Sequence, residues 1–125
     1  MTEATFQPST AAEVEETLLT EMRAIVGDSA EVLIVELVPM FLEDAPRLLD
    51  QLETAVSTQD ADQLRESAHT LKGSSGSMGL KTLSSLSYEL EMMGRSRQLE
   101  PAAKKLSQLQ MEYAVVVQVL SRYLP

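Results

Sequence analysis

The sequence predicts an all-α protein: an antiparallel up-down four-helix bundle with an additional short helix at its N-terminal end. Three observations lead there. Apolar residues recur at intervals of three and four along most of the chain, the period of a helix with one buried face. No stretch reads as a convincing strand. The breaks between periodic stretches are short, so successive long helices are expected to pack antiparallel.

Each element has its own signals. Residues 1–10, MTEATFQPST, lack the basic start and apolar run of a secretion signal and are expected to be a flexible arm. Residues 11–125 are expected to form a single helical domain, and 125 residues suffice for one core. The first helix spans 11–26. Thr10 and Glu13 stand at the spacing of a capping box, and Gly27 supplies a stop. The second spans 29–57, with Asp28 and Glu31 repeating the capping spacing. Its segment VLIVELV (32–38) would pass for a strand in isolation. Ile34, Val38, Phe41, Ala45, Leu48, Leu52 and Ala55 nevertheless continue one helical stripe. Pro39 and Pro46 fall inside it. An interior proline removes a backbone hydrogen bond and crowds the preceding turn, so this helix is expected to kink or split. The third helix spans 60–78, with Asp60 and Gln63 at its start. The fourth spans 80–95, and the fifth 100–123, with Pro101 in its first turn.

Composition narrows the function. Apolar residues make up 44% and charged residues 23%, values of an ordinary globular domain. The absence of cysteine excludes disulfides and thiolate metal sites and fits a reducing compartment, so a cytoplasmic location is expected. With a single histidine, no metal-ligand cluster is recognisable, and no cofactor is expected on this chain. No apolar run approaches the ~20 residues of a membrane span. The net charge is −9, unevenly placed: residues 1–62 carry 14 acidic and two basic side chains, residues 63–125 five and eight. Cationic charge drives binding to nucleic acids and anionic membranes, so neither is expected as a partner.

The chemistry concentrates around His69. Ala61, Leu64, Ala68, Leu71, Ser75 and Met78 form a core seam, and His69 lies one residue off it, about 100° around the helix. The imidazole should sit at the edge of the buried stripe and face water in part. Arg65 and Glu66 precede it on that face; Lys72 and Gly73 follow. Helical side chains lean toward the N-terminus, so a side chain at 73 would lean over His69, and Gly73 has none. Gly76 clears the next turn. Each such glycine costs a helix about 1 kcal/mol relative to alanine, which argues for a surface approached closely. Neutral imidazole is a nucleophile, and Lys72 can balance an anionic group carried on the ring. This fits a phosphoryl acceptor better than a general base. A Ser–His–acid triad is not indicated, because Ser75 lies on the core seam and Ser74 points elsewhere. The run G73-S-S-G-S-M-G-L-K-T82 has the look of a phosphate-binding loop, but Leu80 separates the last glycine from Lys81 and no strand precedes it.

The stretch A-H-T-L-K-G-S-S-G-S-M-G (68–79) resembles the signature of histidine-containing phosphotransfer (HPt) domains, His-x-Leu-Lys-Gly-Ser/Ala. The segments FLEDAP (41–46), DADQLRESAH (60–69) and LKTLSSLSYELEMMGR (80–95) resemble the helices around it, so the likeness covers roughly residues 29–122. It implies a four-helix bundle with His69 as phosphoacceptor, exchanging a phosphoryl group with an aspartate of a response-regulator receiver domain. A hybrid histidine kinase is a further implied partner. Lys72 corresponds to the family lysine near the phosphoryl group, and Gly73 to the glycine that makes room for the receiver. Arg65 and Gly76 are expected on the partner-facing surface, and Gly79 in a backbone role near the turn. Glu91 stands on the opposing helix where some members carry an amide that contacts the histidine. Two partners are open to its carboxylate, the ring N–H of His69 and the side chain of Arg95. The receiver is expected to supply the aspartate and a Mg²⁺ ion, and the chain is expected to be a monomer without stand-alone catalysis. The alternative is a non-catalytic docking module that binds and inhibits a receiver or kinase. That reading has no need of His69, Lys72 and Gly73 together.

Overall fold

Thr10 opens the first helix as its spacing predicts. Its hydroxyl accepts from the Glu13 amide at 3.1 Å, and the Glu13 carboxylate accepts from the Thr10 amide at 2.9 Å. The computed structural model describes residues 6–125. Five α-helices follow one another: α1 (Ala11–Val26), α2 (Ala30–Thr58), α3 (Ala61–Ser77), α4 (Lys81–Ser96) and α5 (Ala102–Leu120). Short 3₁₀ turns at Gly27–Ser29 and Ser121–Tyr123 complete the chain, and no strand occurs among the described residues. Helices α2 to α5 form an antiparallel bundle closed by α2 against α5, and α1 lies along both of those.

The tight turns have local causes. Gln59 ends α2 in the left-handed conformation, which lets the amide of Asp60 reach back to the Ala55 carbonyl at 2.8 Å. Asp60 then caps α3, accepting from the Gln63 amide at 3.0 Å. Gly79, with φ 74°, turns the chain out of α3, and the Leu80 amide closes on the Ser75 carbonyl at 2.9 Å. A Cβ on Gly79 would stand 2.6 Å from that of Glu21, so both φ and space require glycine. Arg97, again left-handed, ends α4.

The stripe expected on α2 is buried at all seven positions, Ile34 through Ala55, and the α3 seam at all six. They meet Leu18 and Met22 of α1, Leu83 and Leu90 of α4, and Leu109 and Leu120 of α5 in one core.

Two expectations need correction. Of the kink or split expected of α2, the split does not occur: it runs as one helix of 29 residues through both prolines. Pro39 and Pro46 are exposed, so the carbonyls of Val35 and Leu42 that lose their partners can be satisfied by water. The Asp28–Glu31 capping box does not form either. Gly27, at φ 60°, admits a 3₁₀ turn in which the Ala30 amide bonds the Gly27 carbonyl, and α2 starts at Ala30 without a side-chain cap. Of the flexible arm expected over residues 1–10, the structure describes residues 6–10, and residues 1–5 lie outside it. Phe6 packs against the core, and the Ser9 amide donates at 2.8 Å to Glu112, a carboxylate on α5 that is almost wholly buried and needs a donor.

Candidate functional site

Helices α3 and α4 share the most extensive packing of any pair. Gly94 makes this possible: a Cβ there would lie 2.7 Å from the Arg65 nitrogen and 2.8 Å from the Ala61 carbonyl oxygen. One turn away the two helices present His69 and Glu91 to each other. The Glu91 side chain is only 3% exposed, whereas that of His69 is 64% exposed. A buried charge requires partners, and Glu91 has three. Its Oε2 lies 2.9 Å from His69 Nδ1 and 3.1 Å from Arg95 Nη2. Its Oε1 meets Lys72 Nζ at 2.9 Å. Burial pushes this carboxyl up. Hydrogen bonds from Lys72, His69 and Arg95, with the charge of Lys72, outweigh that and hold it down at about 2.

The ionised carboxylate fixes the chemistry of the ring. It can only accept, so His69 Nδ1 must be the nitrogen that carries the proton and donates. In the neutral ring Nε2 then keeps its lone pair, and no described residue bonds to it. The site therefore offers one nucleophilic nitrogen toward solvent, held in orientation from behind. Two cations share the one carboxylate, which leaves the cluster an excess of positive charge beside the ring.

The other candidates fall around this centre unevenly. A Cβ on Gly73 would meet nothing within 4 Å, so the surface beside the imidazole is open. Gly76 is placed differently. A Cβ there would come within 3.3 Å of Ser84 Oγ, so its missing side chain serves the packing of α4 as well as any clearance. Among the described residues the Arg65 guanidinium reaches only Glu66, at 3.9 Å, while its backbone lies under Gly94. Gly79 is at the distant turn. The two partners left open for Glu91 are both engaged, together with a third, Lys72. Among the described residues no three His, Cys, Asp or Glu side chains gather as a metal site, and no helix is long and apolar enough to cross a membrane.

Three contributors escaped the sequence reading. Gly94 sets the helix separation. Ser84 donates to the Lys72 carbonyl at 3.0 Å. Tyr88 places its ring 5.4 Å from Lys72 Nζ. A signal for the first existed: Ser87, Glu91 and Gly94 follow a four-three spacing and are all buried, so a charged residue and a glycine lie on a seam that faces another helix.

An up-down helical bundle that presents a single oriented imidazole beside paired cations defines the class of helical histidine carriers. Comparison with known proteins places the chain within that class. The Hpt domain family model matches residues 36–119, and the chain belongs to that family. It is similar to histidine-containing phosphotransfer protein 2 of Arabidopsis thaliana, 29% identical over 97 residues, 75% of this chain and 62% of that protein. The chain thus spans about three fifths of the length of that curated relative. It is also similar to the crystal structure of histidine-containing phosphotransfer protein B (HptB) from Pseudomonas aeruginosa PAO1. That match has 28% identity and a TM-score of 0.73, over 90% of this chain and 95% of the other.

Proposed function

We propose that the protein is a histidine phosphotransfer module of a two-component phosphorelay, carrying a phosphoryl group on Nε2 of His69 to and from receiver-domain aspartates. The observation that carries this reading is the pairing of Nδ1 with Glu91, which leaves Nε2 the exposed nucleophile. Hpt domains work in relays with receiver domains and histidine kinases, and this chain's family membership supports the same partners here.

The step follows from the site. The Nε2 lone pair attacks the phosphorus of a receiver's aspartyl phosphate as the P–O bond breaks, and the aspartate leaves with that electron pair. The ring gains a positive charge shared with Nδ1–H, which faces the Glu91 carboxylate. Glu91 thereby stabilises charge that develops during transfer, in the sense in which fixed groups lower a barrier. The open surface at Gly73 admits the receiver, and holding the ring from behind removes one rotational freedom before the partners meet. When the receiver is bound, its own Mg²⁺ supplies charge stabilisation at the phosphoryl oxygens. The reaction is a reversible exchange, and this chain contributes nucleophile and docking face.

Mixing the protein with a receiver carrying labelled phosphoryl groups tests the assignment. Label should move to this chain, be lost in acid and survive base as a phosphoramidate does, and His69→Gln should acquire none. Stable label on the Gln variant would overturn the choice of residue.

A further inference from the structure

Lys72 is not free beside the imidazole. Its ammonium is the one partner of Glu91 Oε1 among the described residues, since His69 and Arg95 both use Oε2. The same ammonium lies 5.4 Å from the centroid of the Tyr88 ring, a cation–π separation. The Lys72 backbone is tied as well, by the hydroxyl of Ser84. This position is on the Nδ1 side of His69, because the carboxylate that holds Lys72 is the one that holds Nδ1. A phosphoryl group on Nε2 lies at the opposite edge of the ring. An ammonium drawn to those oxygens gives up its place at Oε1 and the face of Tyr88.

We propose that Tyr88 is a positioning residue: with Glu91 Oε1 it holds Lys72 in a resting place from which the phosphorylated ring must draw it, and so it tips the carrier toward unloading. The inference rests on the reading of His69 as the phosphoryl acceptor. Its logic is that of a two-position equilibrium. The phosphoryl group favours one place of the ammonium, while Tyr88 and Oε1 favour the other. A contact present only in the unloaded form lowers the loaded fraction by its own worth. Arg95 remains on the carboxylate when Lys72 departs, so Glu91 keeps a cation in both forms. Tyr88 is about half exposed and outside the core, so its replacement leaves the bundle intact.

Phosphoramidate provides a test that needs no protein partner. Its P–N bond breaks, the Nε2–P bond forms, and ammonia leaves with the bonding pair. The ratio of loaded to unloaded protein is read by ³¹P NMR at a fixed ratio of phosphoramidate to ammonia. Tyr88→Leu should raise that ratio about two- to five-fold, the worth of a cation–π contact at an exposed site. Tyr88→Phe keeps the ring face and should match wild type. In a Lys72→Met background Tyr88→Leu should have no effect. Proton spectra add a direct readout: the Lys72 ε-methylene should be shifted upfield by the ring and move downfield on phosphorylation. An unchanged or lowered ratio in Tyr88→Leu, or an effect that persists without Lys72, would overturn this inference alone. Failure of wild type to load at His69 would instead overturn the carrier reading on which it rests.

Discussion

Replacing Glu91 by Gln separates the charge of this residue from its shape. The carboxyl titrates at about 2 in the folded protein against an ordinary 4.5. A lowered folded value means that the folded state favours the ionised form. The resulting stability is fully present above pH 4.5 and is lost as pH falls toward 2. The difference between the two values corresponds to about 3 kcal/mol. Glutamine has nearly the same volume and its carbonyl oxygen can still accept from Nδ1, but it does not ionise in this range. Urea unfolding of both proteins at pH 7, 5, 3.5 and 2.5 gives the test, because the other carboxylates titrate in both and cancel in the difference. Between pH 5 and 2.5 the advantage of wild type over Glu91→Gln should shrink by most of that amount. Curves that stay parallel across this range would refute the account of Glu91 as the charge holding the cluster together.

Two further substitutions probe the glycines. Gly94→Ala drives a methyl group into the backbone of α3 and should cost about 2 kcal/mol, overpacking set against improved helix propensity; an unchanged or raised thermal midpoint would contradict the close approach of the helices. Gly73→Ala adds a methyl group in open space and should raise stability by about 0.5–1 kcal/mol. Phosphoryl transfer with a receiver should at the same time slow about ten-fold, through a small misalignment of the partners. Stopped-flow transfer rates beside urea midpoints would show whether stability and transfer move in opposite directions.

How much of this was legible in the sequence depended on how local the cause was. The α2 stripe and the Thr10 cap depend on neighbours within a few residues, and both could be read from spacing. The fate of Pro39 and Pro46 depended on which way the helix faced: both lie on the wet side, where a lost hydrogen bond is replaced by water. The Asp28 cap failed because Gly27 admitted another turn. His69 stood out because Lys72, Gly73 and Gly76 are near it in sequence. Glu91 was visible only as a candidate, since its partners Lys72 and His69 come from another helix and its burial depends on the distance between the two. That distance is set at Gly94, which carries no chemistry of its own. Ser9 and Glu112 are separated by 103 positions, and no local pattern connects them.

The crossing at Gly94 also bears on how the imidazole is mounted. Arg65 lies four residues before His69 on one helix, and Gly94 three residues after Glu91 on the other. The point of backbone contact is therefore about 6 Å along the axes from the bond between Nδ1 and the carboxylate. The two helices are thus tied on both sides of the imidazole, by the backbone crossing at Gly94 before it and by the hydrogen-bonded turn at Gly79 after it. A side chain that is 64% exposed is thereby mounted on a segment anchored at both ends.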